Sequence, residues 1–159
     1  MKAVVIGVGN PFLGDDGVGI HVARIVRKGL PDGANVDVKE ASASGIGLLE
    51  EMIGYEYAAI VDAIATGSPV GEIFRLNPDN LSNTAHLTAP HHFNFATVYE
   101  LGKTFTPADM PKRVKIYGIE ILPRTSYSES LSPKVIRAAR LLAIEIIEDL
   151  MRPSSRQRP

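Results

Sequence analysis

The sequence predicts an α/β fold built on a parallel sheet, and two kinds of pattern support this prediction. A continuous apolar run occurs at Ala3–Val8, and Tyr57–Ile64 is a second, mostly apolar segment; such segments are typical of parallel strands that helices cover on both faces. The segment from Asp16 to about Leu30 has apolar residues on one helical face and polar residues on the other. With the elements between them, the order is β-α-β-α-β, which favours right-handed crossovers and parallel pairing.

The remaining elements follow from the same two periodicities. In chain order they are a strand at Asn35–Glu40, a short helix at Ser44–Gly54, a strand at Gly71–Leu76, a helix at about Phe93–Phe105, a strand at Val114–Leu122 and a helix at Lys134–Met151. Ser132 is the expected N-cap of the last helix, with Pro133 at its first helical position. Apolar residues cover most of the circumference of that helix, which indicates either deep burial or a second contact surface.

Length and composition indicate one domain and exclude several classes of function. A chain of 159 residues, 45% hydrophobic and 22% charged, fits a single domain at 1–152, and the polar tail at 153–159 is expected to be disordered. The net charge of -1 predicts no nucleic-acid binding. Without cysteine the chain has no disulfide, thiolate metal site or cysteine nucleophile. No run approaches the ~18–20 apolar residues of a membrane span, and the N-terminus lacks a signal-type apolar segment, so a soluble cytoplasmic protein is expected.

A glycine-rich turn follows the first strand, and its residues favour a cation over a phosphate. The dinucleotide-binding fingerprint requires a third glycine where this chain has Phe12. Phosphate-loop spacing is present at Gly9–Gly14, but Asp15 and Asp16 stand where that loop needs Lys and Ser or Thr. Two carboxylates repel a phosphate, although they interact well with the N–H groups at a helix N-terminus. Asp15 is therefore predicted to cap the first helix, and Asp16 is either a second residue at that helix end or a cation ligand.

A second carboxylate, Asp62, is predicted to end the third strand. In a 2-1-3 strand order the first and third strands are neighbours, so Asp16 and Asp62 are expected to meet at the same sheet edge. An Asp after a strand is commonly a loop cap or turn former. Two acids at adjacent strand ends instead favour a shared cation or a shared proton.

Histidines supply a candidate third ligand. His21 lies on the polar face of the first helix and is predicted to be solvated, whereas His91 and His92 precede a predicted helix. Such a pair is often simply at the surface, but an imidazole added to two carboxylates makes a three-ligand site that suits nickel, zinc and other first-row divalent ions. The chain has no G-x-S-x-G elbow, so water held by a metal ion and carboxylates is the favoured nucleophile.

These motifs resemble those of a known family. The segment Gly7–Gly19, read GVGNPFLGDDGVG, strongly resembles the opening motif of the hydrogenase maturation endopeptidases. Asp62, within IVDA, and His91, after Pro90, match the other two metal-binding positions of that family. The resemblance spans roughly residues 1–150.

The resemblance implies a three-layer α/β sandwich with a five-stranded, mainly parallel twisted sheet and helices on both faces. It also implies an endopeptidase that removes the C-terminal extension of a nickel-iron hydrogenase large-subunit precursor after nickel insertion. Asp16, Asp62 and His91 would be both the catalytic residues and the nickel ligands, with the nickel carried by the substrate. His92, directly after His91, leaves the histidine assignment open by one residue.

The resemblance further implies substrate contact at Gly45 and Gly47, and His92 is a third candidate contact. The two glycines are equally explained as turn or helix-packing residues. Two alternatives from other classes stay open: a nucleotide-binding, doubly wound module that uses the Gly7–Gly14 turn, and a nickel carrier without catalysis.

Overall fold

The chain folds into strands and helices in the predicted order. The computed structural model describes residues 1–42, 46–78, 95–124 and 126–152. Within them the elements are β1 (Ala3–Val8), a 3₁₀ helix (Gly14–Gly17), α1 (Val18–Gly29), β2 (Val36–Ala41), α2 (Ile46–Met52), β3 (Tyr57–Ile64), β4 (Ile73–Leu76), α3 (Phe95–Phe105), β5 (Arg113–Glu120) and α4 (Pro133–Met151). β1 and β3 have the predicted bounds, and the first helix begins two residues later than predicted because the 3₁₀ turn precedes it.

In the described residues the strands form one five-stranded sheet in the order β2-β1-β3-β5-β4. β1, β2, β3 and β5 are parallel, and β4 pairs antiparallel with β5 at one edge. β1 pairs with β3 only up to Gly7 and Val61, whereas β3 stays paired with β5 up to Ile64 and Glu120. Asp62 therefore lies just beyond the point where β1 leaves its neighbour, and the predicted adjacency of the first and third strands is confirmed.

Helices cover both faces of the sheet. One core lies between α1, α4 and the odd-numbered residues of β3, and it includes the fully buried Val22 and Leu142. The second core lies on the opposite face with the even-numbered residues of β3, Leu48 and Met52 of α2, and Tyr99 of α3 packed against it. The predicted three-layer α/β fold with a mainly parallel sheet is thus confirmed.

The last helix is buried on one side only. Val135, Leu142 and Ile146 are fully buried in the first core, but Leu141 and Ile144 are 64% and 54% exposed. Deep burial therefore does not explain the apolar circumference of α4. Among the described helices, none combines the length and the apolar character that a membrane crossing requires. The predicted tail at 153–159 lies outside the described residues.

The first helix approaches the sheet through glycines. A Cβ built on Gly19 would lie well inside 3.0 Å of the carbonyl oxygens of Val8 and Val61, and one built on Gly7 would collide with the carbonyl of Gly19. Protein interiors are packed too densely to absorb such overlaps. Glycine at these positions lets the start of α1 rest directly on the carboxyl ends of β1 and β3.

Candidate active site

Asp16 is held inside a tight loop that leads from β1 into α1. Its side chain is 6% exposed, and its Oδ2 accepts a hydrogen bond from the Asn10 N–H at 3.1 Å. The Asp16 N–H donates to the Leu13 carbonyl at 3.3 Å. Gly9 makes the reversal of the chain feasible, because its φ is +146° and a Cβ there would collide with the Asp16 carbonyl. The loop therefore fixes the Asp16 carboxylate at the carboxyl end of β1.

Asp15 has a different role from the predicted one. The N-cap of α1 is Gly17, without a side-chain capping bond, so the prediction that Asp15 caps the first helix is wrong. Asp15 Oδ1 instead accepts from the Ser132 N–H at 2.6 Å. Ser132 is the N-cap of α4 and Pro133 follows at its first turn, as predicted. The carboxylate thus ties the loop of Asp16 to the positive end of the last helix.

Loss of the hydrogen bond between Asp15 and Ser132 should destabilise the fold. Replacing Asp15 by Ala removes a charge-assisted hydrogen bond at a helix N-terminus, so the free energy of unfolding should fall by about 1–2 kcal/mol. Asp15→Asn keeps an acceptor oxygen and should lose less. Urea denaturation of the three chains measures the difference, and an Asp15→Ala chain as stable as the unchanged one would contradict the assigned role.

Asp62 is a buried carboxylate with an oxygen available for chemistry. Its side chain is 4% exposed. Oδ1 accepts from the Ala63 N–H at 2.8 Å, whereas Oδ2 is buried without a hydrogen-bond partner among the described residues. The strand has its predicted bounds, but the placement of Asp62 as its last residue is wrong by two residues, because pairing with β5 continues to Ile64. With Ile60, Asp62 belongs to the even-numbered residues that face the α2 and α3 layer.

The two carboxylates interact. Burial raises the pKa of Asp62 well above its ordinary value, and the negative charge of Asp16 raises it further, while the Ala63 N–H opposes the rise. Asp16 and Asp62 therefore share one site, as the strand order predicted. A buried carboxyl group with a raised pKa in a cleft is a candidate for a functional group.

The raised pKa of Asp62 predicts a pH-dependent cost to stability. The folded chain keeps the Asp62 proton at pH values where the unfolded chain, with a pKa of about 4, has released it. The stabilising contribution is therefore complete below about pH 4 and is lost as pH rises toward the folded pKa. Asp62→Asn cannot titrate, so its free energy of unfolding relative to the unchanged chain should increase as the pH rises from about 4 through neutral pH. Urea denaturation across this range checks it, and a constant difference would speak against the shift.

A third buried carboxylate fixes the neighbouring loop. Glu120, at the end of β5, is 1% exposed. It accepts from the Thr66 N–H and the Thr66 hydroxyl, both at 2.8 Å, and from the Gly67 N–H at 3.0 Å. The loop after β3 is thereby held at the same sheet edge as Asp62. Glu120 was not among the residues predicted from the sequence. The available signal was that an acid follows a strand in a chain that also has a Thr-Gly-Ser turn.

The structure describes only some of the other predicted site residues. Gly45, His91 and His92 lie outside the described residues. Gly47 is an exposed residue of α2 with no atom within 4 Å of a Cβ built there, so a packing role for it is wrong. His21 is half-buried rather than solvated, and burial, followed by the charge of Arg24, lowers its pKa. In the described ranges no group of three or more His, Asp or Glu side chains could hold a metal ion.

Fold and site together define a class: an α/β protein with two buried, interacting carboxylates at the carboxyl ends of adjacent parallel strands. The family model for the HycI type, described as hydrogenase maturation protease, matches residues 20–149, and the chain belongs to this family. The match includes Asp62 and the position of His91, while Asp16 lies just before it. The family that the sequence resembles is thus confirmed, by a match that begins directly after the glycine-rich motif Gly7–Gly19.

Individual relatives agree with this assignment. The chain is 23% identical over 136 residues to the hydrogenase expression/formation protein HupD of Thiocapsa roseopersicina, an alignment that covers 84% of this chain but only 61% of HupD. It is 27% identical over 139 residues to the hydrogenase 2 maturation protease of Escherichia coli, covering 85% of this chain and 78% of that protein. The structure of the E. coli hydrogenase maturating endopeptidase HybD superposes with a TM-score of 0.77 at 22% identity, covering 94% of this chain and 92% of HybD. The last comparison shows a common fold.

Proposed function

We propose that the chain is an endopeptidase that removes the C-terminal extension of a nickel-iron hydrogenase large-subunit precursor. The observation that supports this most is the buried, interacting pair of Asp16 and Asp62 at the ends of neighbouring parallel strands. Membership of the hydrogenase maturation protease family supports the same activity. A relative in E. coli carries the name of a hydrogenase 2 maturation protease.

Asp62 is the proposed proton acceptor. Its Oδ2 has no hydrogen-bond partner in the described residues, and burial raises its pKa, which makes the ionised group a stronger base. A water oxygen bonds to the scissile carbonyl carbon while Asp62 takes a proton from that water. Asp62 then returns the proton to the leaving amine nitrogen as the C–N bond breaks. Each step uses the same carboxyl oxygen, and the group ends in its starting state.

Nickel enters this scheme as part of the substrate. Two carboxylates and an imidazole are a donor set that suits a first-row divalent ion, so Asp16, Asp62 and His91 would contact the nickel of the precursor. A carboxylate has two oxygens, which lets Asp62 contact the ion and still accept a proton. These contacts would place the scissile bond against Asp62. The attack of water would then be faster, because the reacting groups are already held in position. His91 is included on the resemblance, with His92 as the alternative.

The test compares nickel-loaded and nickel-free large-subunit precursor, each incubated with the purified chain and followed by intact mass. We expect the nickel-loaded precursor alone to lose a C-terminal peptide. Loss of the same peptide from both precursors would support the peptidase activity and contradict the recognition of nickel. Stoichiometric binding of nickel by the chain, with no shortening of either precursor, would contradict the proposal and indicate that the chain is a nickel carrier.

A further inference from the structure

Two exposed aromatic rings stack against each other beside the candidate active site. The centroids of Phe12 and Tyr127 are 6.0 Å apart and their planes differ by 15°. Phe12 is 51% exposed and Tyr127 73% exposed. A large apolar side chain gains most of its stabilising free energy from burial, so an exposed pair of this kind contributes little to folding. Exposed aromatic residues are the side chains most enriched at binding surfaces.

The backbone fixes the two rings side by side. The Ser128 N–H donates to the Phe12 carbonyl at 2.8 Å, and the Gly14 N–H donates to the Ser128 carbonyl at 2.6 Å. Leu13 and Ser128 form a parallel bridge between the two segments. Because these backbone groups are already hydrogen-bonded, they are not available to pair with an added strand. A binding partner would instead contact the two aromatic rings. The rings are therefore a preorganised surface, which lowers the entropy cost of binding.

Phe12 belongs to the same loop as Asp16, and Tyr127 belongs to the segment that pairs with this loop. Phe12 precedes Leu13, whose carbonyl accepts from the Asp16 N–H at 3.3 Å. The Phe12 N–H donates to the Asn10 side chain at 3.0 Å, and the Asn10 N–H in turn donates to the Asp16 carboxylate. On the other side, the segment of Tyr127 leads to Ser132, which Asp15 holds. Hydrogen bonds therefore join both ring-bearing segments to the loop that carries Asp16.

We propose that Phe12 and Tyr127 form an aromatic platform that binds an apolar side chain of the precursor polypeptide a few residues from its scissile bond. The platform rests on the proposed function, because it needs a peptide substrate at Asp16 and Asp62. In an extended peptide, side chains on one face recur about every 7 Å, so a residue a few positions from the scissile bond reaches the rings. Its contact is made equally in the bound substrate and in the transition state, and it therefore acts on KM rather than kcat.

Steady-state processing of the precursor by ring-deleted variants tests the platform. Phe12→Ala and Tyr127→Ala should each raise KM about tenfold, with kcat within about twofold of the unchanged chain. Tyr127→Phe keeps the ring and should keep KM. Phe105→Ala is the matched control, since Phe105 is 76% exposed and ends α3, just before the loop that leads to the amino end of β5. It should leave both constants unchanged, and melting temperatures should agree among all four variants.

The outcomes separate the two proposals. Unchanged KM in both alanine variants, with normal cleavage by the unchanged chain, overturns the platform alone. A fall in kcat without a rise in KM also overturns it, because the rings would then act on the geometry of the Asp16 loop. If the unchanged chain does not cleave the precursor, the proposed function fails and the platform fails with it.

Discussion

Asp62→Asn should lower kcat/KM for precursor processing by about 10³-fold or more while the chain stays folded. The substitution preserves shape and the acceptor for the Ala63 N–H, but an amide cannot take a proton from water. General-base catalysis contributes about 10²–10⁴-fold, and the loss of a carboxylate ligand to the nickel of the substrate adds to that loss. The variant should also be more stable at neutral pH and above, since the unfavourable ionisation of a buried acid is gone.

The control for this prediction is Asp32→Asn. Asp32 is an exposed acid in the loop between α1 and β2, at the amino edge of the sheet. It changes the net charge by the same amount and should leave kcat/KM unchanged. Processing by Asp62→Asn at a rate within tenfold of the unchanged chain would exclude Asp62 as the proton acceptor. Lost processing together with lost stability would instead assign it a structural role.

Gly19→Ala should be the most destabilising single substitution among those considered. The added Cβ would collide with the carbonyl oxygens of Val8 and Val61, which are backbone atoms of two strands and cannot rotate away. Overpacking typically lowers the free energy of unfolding by about 1–3 kcal/mol. Because the surrounding backbone is rigid, we expect a loss of about 3 kcal/mol or more for Gly19→Ala. Because α1 must then move off the sheet, the loop of Asp16 should be displaced as well. Processing is expected to fall even under conditions where most of the chain is folded.

Urea denaturation and amide hydrogen exchange of β1 measure the effect of Gly19→Ala. Gly47→Ala is the matched control, because Gly47 lies in a helix with no atom within 4 Å of the added Cβ. That change should leave the free energy of unfolding equal or raise it by up to about 1 kcal/mol. Equal stability of the Gly19 and Gly47 variants would contradict the close contact between α1 and the sheet.

The fold could be predicted largely from the sequence, because its strongest signals are local. β1 and β3 are fully buried, so their apolar runs coincide with their bounds. Elements with one exposed side were placed within a few residues. The start of α1 was predicted too early, because the 3₁₀ turn depends on contacts among Gly9, Leu13 and Asp16 rather than on helical periodicity.

The candidate site was predictable where it depended on topology and unpredictable where it depended on distant partners. Asp16 and Asp62 follow from strand order alone. The role of Asp15 depends on Ser132, 117 residues away in the chain, and no local pattern shows that contact. The same holds for Glu120 with Thr66 and for the Phe12–Tyr127 pair, each of which joins segments more than 50 residues apart.

The intact mass of nickel-loaded precursor, after incubation with equimolar unchanged chain or Asp62→Asn, tests the central claim most directly. We expect the unchanged chain to remove one C-terminal peptide and the variant to leave the precursor at full mass. Removal of the same peptide by Asp62→Asn would contradict the assignment of hydrolysis to the Asp16 and Asp62 site.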